Sequence, residues 1–238
     1  DVFCGHGYES VWDESVALVL GAAGLSPEQP LSLLDQPFPA EAERYLTDLI
    51  ERRCRQRLPV AYCLQEAYLA GLRFIADARA LVPRSPVSHL LADRLVPWWP
   101  SGRHPGVVVD VCCGGGSLGL VAAEAFPDAT VILSDLDLQA LSLAAENIAL
   151  HGRSDNVYTL RADLLSAIRS GSADIVLANP PYVSRAEMAE LPPEYCVEPR
   201  IALEADAEGT ELAVGLLREA VRVLAPDGLM LLEVGETW

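Results

Sequence analysis

The stretch Ala178-Asn179-Pro180-Pro181-Tyr182 sets a side-chain amide beside two prolines and an aromatic ring. Proline lacks an N–H, fixes its own φ and pushes the residue before it into extended backbone, so the pair forms a stiff turn whose carbonyls stay free to accept. The Asn179 side-chain oxygen and a neighbouring carbonyl then make an acceptor pair suited to the two hydrogens of a planar NH2 group, with Tyr182 as a flat wall. Asn and Pro are also ordinary turn residues, and the same five residues fit a plain turn after a strand equally well. The preceding Asp174-Ile175-Val176-Leu177 reads as a short apolar strand. Asn179 therefore falls at the carboxyl edge of an open α/β sheet, where such folds bind ligands.

A second group of residues lies upstream. Val107-Val108-Val109-Asp110-Val111 is a buried strand by composition, followed by Cys112-Cys113-Gly114-Gly115-Gly116-Ser117-Leu118-Gly119 and a helical run from Leu118 to Phe126. Strand, glycine turn and helix is the arrangement in which backbone closely approaches a ligand. Gly114-x-Gly116-x-x-Gly119 matches the dinucleotide fingerprint literally, a signal shared by several nucleotide-like ligands. The next strand, Thr130 to Ser134, ends at Asp135, whose carboxylate suits the two hydroxyls of a ribose. A third strand, Val157 to Leu160, leads to Asp163, which fits either an acceptor for an adenine amine or an N-cap for a helix over Leu164 to Ile168. Four successive strands thus end in ligand-type residues, a coincidence that core packing does not explain. Alternation of strands and helices predicts a doubly wound α/β sheet.

The elements that must carry these residues divide the chain into three. Residues 1–58 read as a helical recognition domain. One helix runs from Val11 to Leu20 and stops at Gly21-Ala22-Ala23-Gly24; a link punctuated by Pro27, Pro30, Pro37 and Pro39 follows. A longer helix, Ala40 to Leu58, has Tyr45, Leu46, Leu49, Ile50 and Cys54 on one face. Its end carries Arg52, Arg53, Arg55 and Arg57, read as a solvated helix end suited to the helix dipole, or alternatively as a contact for an acidic or nucleic-acid partner. Residues 59–105 form a hairpin and linker, with strands Leu72–Ile75 and Ala80–Val82 flanking a turn over 76–79, then a short helix from Ser88 to Val96 and a linker from Pro97 to Pro105. Residues 106–238 hold the sheet, including a helix over Leu138 to Leu150 with Leu141, Ala144, Ala145 and Ile148 facing inward, and a last strand over Leu229 to Val234.

Composition narrows the function classes. Of 238 residues, 51% are apolar, enough for one sizeable core and a smaller appendage. The formal charge is −17, and every basic residue is Arg, which excludes Schiff-base chemistry and a P-loop lysine. Such acidity repels nucleic acid at long range and favours a basic partner. Six cysteines form no Cys-x-x-Cys pair, and His6, His89, His104 and His151 have no companions at ligand or catalytic spacing. No metal site or disulfide framework is expected, and a reducing cytoplasm is the natural compartment. No apolar run is long enough to span a membrane and no signal peptide is visible; the absence of an initial Met suggests a processed amino terminus.

Asp110 to Gly119, Asp135, Asp163 and Asn179 to Tyr182 together resemble the S-adenosylmethionine-dependent class I methyltransferases. More narrowly they resemble the family that methylates the side-chain nitrogen of glutamine in proteins. Further similar segments are Arg57-Leu58-Pro59-Val60-Ala61-Tyr62, Leu81-Val82-Pro83-Arg84-Ser85-Pro86 and Glu198-Pro199-Arg200-Ile201-Ala202-Leu203. Gly5-His6-Gly7, Trp12-Asp13-Glu14 and Ser85 point to the branch acting on large-subunit ribosomal protein L-three rather than on release factors. The resemblance implies a Rossmann-like methyltransferase domain and S-adenosylmethionine as cofactor, with S-adenosylhomocysteine as product. It implies Asp110, Cys112, Gly114, Gly116, Asp135, Asp163 and Asn179 as cofactor residues, Asn179, Pro180, Pro181 and Tyr182 as catalytic residues, and a basic ribosomal protein as substrate. Two departures stand out. Cys112-Cys113-Gly114-Gly115-Gly116 replaces the usual Cys-Thr-Gly-Ser-Gly, and the closing hairpin expected after the last strand is missing before Trp238, which would expose a sheet edge. Three other readings fit parts of the pattern: an adenine methyltransferase acting on nucleic acid, a nicotinamide-dependent oxidoreductase, and a binding module without activity.

Overall fold

A computed structural model describes residues 4–6, 8, 10–26, 37–205 and 209–235. Gly7, Pro27, Pro30 and Trp238, which entered the sequence reading, lie outside the described residues. The chain begins with helices α1 (Val11–Ala22), α2 (Glu43–Arg55) and α3 (Val60–Leu64), followed by strands β1 (Glu66–Leu69) and β2 (Leu72–Ile75) and helix α4 (Val87–Ala92). The α/β part contains β3 (Val107–Val111), α5 (Ser117–Ala125), β4 (Thr130–Asp135), α6 (Leu138–Leu150), β5 (Val157–Arg161) and β6 (Ala173–Ala178). Short helices α7 (Arg185–Met188) and α8 (Arg200–Leu203), separated by a 3-10 turn over Pro193–Val197, precede α9 (Glu211–Val223) and β7 (Leu224–Leu232).

Strands β3 to β7 form one parallel sheet in the order β5-β4-β3-β6-β7. Successive side chains of a strand point to opposite faces, and a parallel sheet buries both, so these strands are apolar throughout. Val108, Val131, Leu133, Ile175 and Leu177 face one core with Leu91, Leu95 and Leu118. Val109, Val111, Val176 and Ala178 face the other with Leu165, Leu216, Ala220 and Val223. The order reverses at β3 and β6, which pair Val111 with Ala178. Ligands of open α/β sheets bind outside the strand ends at such a reversal.

The expected α/β class and the first four sheet strands are borne out; the last strand runs over Leu224–Leu232 rather than Leu229 to Val234, and several local expectations are corrected. The hairpin is formed by β1 and β2, not by Leu72–Ile75 with Ala80–Val82. Its turn is Ala70-Gly71, both at positive φ, which the twist of a two-residue hairpin requires. Residues 164–168 make turns rather than a helix: Leu164 has a φ of +48°, and the carbonyls of Leu165 and Ile168 accept from the Arg222 guanidinium. On α6, Ala145 is exposed while Leu143 and Asn147 are buried. The supposed linker 97–105 is anchored by Trp99, 3% exposed, whose Nε1 donates to the Arg103 carbonyl while the Arg103 guanidinium lies over its ring.

The largest correction concerns α2. Tyr45, Ile50 and Cys54 are exposed, and the buried positions are Leu49 and Arg53. Arg53 is 2% exposed, donates from Nε and Nη2 to both oxygens of Glu14 on α1, and reaches Glu194 at 3.3 Å. Arg57 donates to the same Glu194 oxygen at 3.0 Å, and Arg52 donates to the carbonyls of Tyr62 and Cys63. The arginine-rich end therefore meets acidic partners within the chain itself; Arg55 is the member that faces solvent, paired with Glu51. Removing one partner of a buried ion pair leaves charge uncompensated in the interior. Arg53→Leu should cost about 3–5 kcal/mol in urea unfolding, and adding Glu14→Gln should recover part of that loss.

Candidate active site

The register of the sheet aligns the functional residues. Ser134, Val111, Ala178 and Leu232 stand side by side across β4, β3, β6 and β7, so the next residues in chain order are Asp135, Cys112, Asn179 and Glu233. The N–H of Glu233 donates to the Ala178 carbonyl at 2.9 Å, which carries the row past the last paired residue. A cleft of about 220 Å³ opens along this edge, lined by Asp110, Cys112, Gly114, Asp135, Asp163, Asn179 and Pro181 among the predicted residues. Gly116, Pro180 and Tyr182 stand outside the lining. Pro180 is buried, and the Tyr182 hydroxyl donates to Glu233 at 3.4 Å.

The glycine turn is built by backbone conformation. Cys112, Gly114 and Gly116 have φ of +56°, +54° and +80°. The left-handed region suits glycine and costs a residue such as Cys112, and strain of this kind clusters at ligand sites. A Cβ on Gly116 would stand 2.7 Å from Leu133 Cδ1, and one on Gly119 would stand 2.1 Å from Leu133 Cδ2. A side chain at either position would force the buried Leu133 to move.

Two carboxylates brace the turn. Asp135 accepts from the N–H of Gly114 and of Asp137, each at 2.9 Å, so its orientation is fixed while further lone pairs remain available. Burial raises its pKa, and the Asp137 and Gly114 donors offset only part of that rise. Asp110 is 1% exposed and accepts from the Gly119 N–H at 2.8 Å. Desolvation pushes its carboxyl up to about 7, against the Gly119 donor and with a further push from Asp135. Burial likewise pushes the Cys112 thiol up to about 12, so this cysteine is a thiol, not a nucleophilic thiolate.

The wall facing the sheet comes from Arg79 to Ser85, Pro199, Ile201 and Ala202. Sequence reasoning missed the groups that hold it. Asn147, fully buried on α6, accepts from the Ile75 N–H and donates to the carbonyls of Ile75 and Gly115, clamping β2 to the glycine turn. Glu198 accepts from Arg84, from the Val82 N–H and from His6, so His6 has a companion, though a positional and not a catalytic one. Glu233 was within reach of the strand-end argument, because it follows the last strand as Asn179 follows its own. Among the described residues no group of acidic, His and Cys side chains could hold a metal ion, and no helix is long and apolar enough to cross a membrane.

A carboxyl raised on folding binds its proton more tightly in the folded state. Its stabilising contribution is complete below the unfolded value near 3.8 and is lost as pH rises through about 7. Asp110→Asn, whose amide oxygen still accepts from Gly119, should therefore gain on the natural protein as pH rises from 4 to 7. The gain should approach about 1.4 kcal/mol for each pH unit crossed, read by urea unfolding at each pH.

Residues 86–192 match the methyltransferase small domain family model. The ribosomal protein uL3 glutamine methyltransferase of Bordetella pertussis is 41% identical over 235 residues, covering 98% of this chain and 78% of the relative. The enzyme of the same name from Francisella tularensis is 34% identical over 237 residues, 100% of this chain and 76% of the relative. That from Xanthomonas campestris pv. campestris is 40% identical over 235 residues, 98% of this chain and 75% of the relative. These likenesses run through the helical part, the facing wall and the sheet alike, and they bear out the resemblance read from the motifs: the chain belongs to the ribosomal protein uL3 glutamine methyltransferase family.

Proposed function

We propose that this chain transfers a methyl group from S-adenosylmethionine to the side-chain nitrogen of a glutamine in ribosomal protein uL3. The observation that carries the reading is the strand-end row, in which an amide-gripping Asn179 stands next to a glycine turn and a fixed carboxylate in one cleft. The donor set fits the cofactor: Asp135 and Asp163 line a cleft suited to a cationic ligand, and the Asp135 carboxylate is pre-oriented for a diol. S-adenosylmethionine supplies an electrophilic methyl group and leaves as S-adenosylhomocysteine.

In this reading Asp135 holds the ribose, Asp163 accepts from the adenine amine, and Cys112, Gly114 and Gly116 shape the floor under the reacting end. Asp110 keeps the turn closed on α5. An amide nitrogen is a poor nucleophile because its lone pair is delocalised into the carbonyl. Asn179 Oδ1 and the Pro180 carbonyl accept its two hydrogens, Pro181 stiffens the turn, and Tyr182 steadies the amide plane. Orientation of this kind is worth about 7–11 kcal/mol in favourable systems. No strong base is needed before transfer, since the methylated nitrogen is acidic enough to release its proton afterwards. A ribosomal protein as substrate supports a cytoplasmic location for the reaction.

Methyl transfer from labelled S-adenosylmethionine to ribosomal proteins from an unmethylated strain, with naked ribosomal RNA in parallel, tests the reading. Label should enter uL3 on glutamine and fall at least a hundredfold in Asn179→Ala; label in RNA would make the nucleic-acid reading correct. The net charge of −17 against a basic substrate should speed association. Catalytic efficiency should then fall severalfold between 50 and 300 mM salt, and a flat salt profile would remove the electrostatic contribution.

A further inference from the structure

Glu233 is the fifth residue of functional type to follow a parallel strand at this edge, and none of the proposed steps employs it. Its carboxylate receives two hydroxyls from two segments remote in sequence. Tyr182, on the loop after β6, donates to Oε1 at 3.4 Å, and Ser85, on the facing wall, donates to Oε2. The Ser85 oxygen also accepts from the Val87 N–H at 3.2 Å, so its single proton is committed to Glu233. The Tyr182 ring stands beside Gly235, where an added Cβ would lie 3.5 Å from Cδ2. The backbone of Glu233 is itself tied to Ala178, the residue before Asn179. One side chain therefore joins the Asn179–Tyr182 loop to the Leu81–Pro86 wall.

We propose that Glu233 is a positioning residue for the acceptor side of the site: by accepting from Tyr182 and Ser85 it sets the Asn179–Tyr182 loop at a fixed distance from the wall that faces it. The assignment of the acceptor side rests on the function proposed above. The glycine turn and Asp135, on the far side of Asn179, are not part of this link, so the effect falls on the protein substrate and spares the cofactor.

The test is a double-mutant cycle on Glu233→Gln and Tyr182→Phe, with Ser85→Ala as a third arm, in methyl transfer to unmethylated uL3. Each of the first two should lower kcat/KM for uL3 by about tenfold, the scale of one hydrogen bond to a charged group. The double variant should lose no more than the worse single one, and S-adenosylmethionine affinity, measured by direct binding, should stay within about twofold. Losses that multiply, no loss, or an equal loss of cofactor affinity would overturn the proposal.

A second readout does not depend on turnover. Burial and the Glu233 charge raise the Tyr182 phenol pKa, while Arg84 lowers it and Tyr195 adds a smaller push upward. Ultraviolet titration, with Tyr182→Phe subtracted, should show this ionisation moving to lower pH in Glu233→Gln. An unmoved ionisation would overturn the link outright. A moved ionisation in a protein that methylates no uL3 would sustain the link and refute the proposed function.

Discussion

The cleft depends on one buried carboxylate that belongs to neither the sheet nor the glycine turn. The Glu198 side chain has no solvent exposure, and both of its oxygens are fully engaged. Oε1 accepts from the Val82 N–H at 2.9 Å and from Arg84 at 2.8 Å; Oε2 accepts from Arg84 at 2.8 Å and from His6 at 3.2 Å. Desolvation alone would drive its pKa up, yet the donors prevail and hold it below the ordinary carboxylate range. The wall from Leu81 to Ser85 has no regular secondary structure, so its backbone groups and its distance from the sheet must be fixed by side chains. Glu198 holds the Val82 and Arg84 part of it from a single point.

Glu194 repeats the device in the opposite direction. Four residues before Glu198 on the same turn, it binds Arg53 and Arg57 of the helical part. Tyr195 lies between the two, with the His6 ring 4.3 Å away and Arg84 5.2 Å from its centre. The turn Pro193–Val197 thus locks the helices to the facing wall. An apolar contact of similar size would serve stability as well or better, since buried ion pairs seldom add much net energy. What directional bonds supply is a single relative placement of helices and wall, which a site that must hold two substrates requires.

Sheet and glycine turn were legible in the sequence because their signals are local. A parallel strand buried on both faces reads as a continuous apolar run, and the residue that ends it is visible by inspection, as at Asp135 and Asn179. Glu233 obeyed the same rule and escaped only because the last strand was extended to Val234. The clamps were not legible for a physical reason: their partners are remote. Arg53 lies 141 positions from Glu194, and Glu198 lies 192 from His6. A charged residue in a helix whose partner is unknown reads as solvated, and Arg53 was placed in water for that reason. The hairpin was misplaced by a competing local pattern, because Ala80-Leu81-Val82 is as strand-like as Glu66–Leu69, and the two-residue turn at Ala70-Gly71 decides between them.

The strand-end row also sets a length scale for the proposed reaction. Neighbouring strands stand about 4.8 Å apart, so Asp135 and Asn179, two strands apart, are separated by roughly 10 Å. In the proposed reading Asp135 would hold the ribose of the cofactor and the glycine turn after the central strand β3 would lie beside the end that supplies the methyl group, with Asn179 on the next strand. The order of strands thereby sets the order of residues along the edge: Asp135, the glycine turn, Asn179, then Glu233. The reversal between β3 and β6 is what brings the last two beside the first. A sheet wound in one direction only would have placed the strand of Asn179 beyond β5, on the far side of Asp135, with the central strand no longer between these two residues.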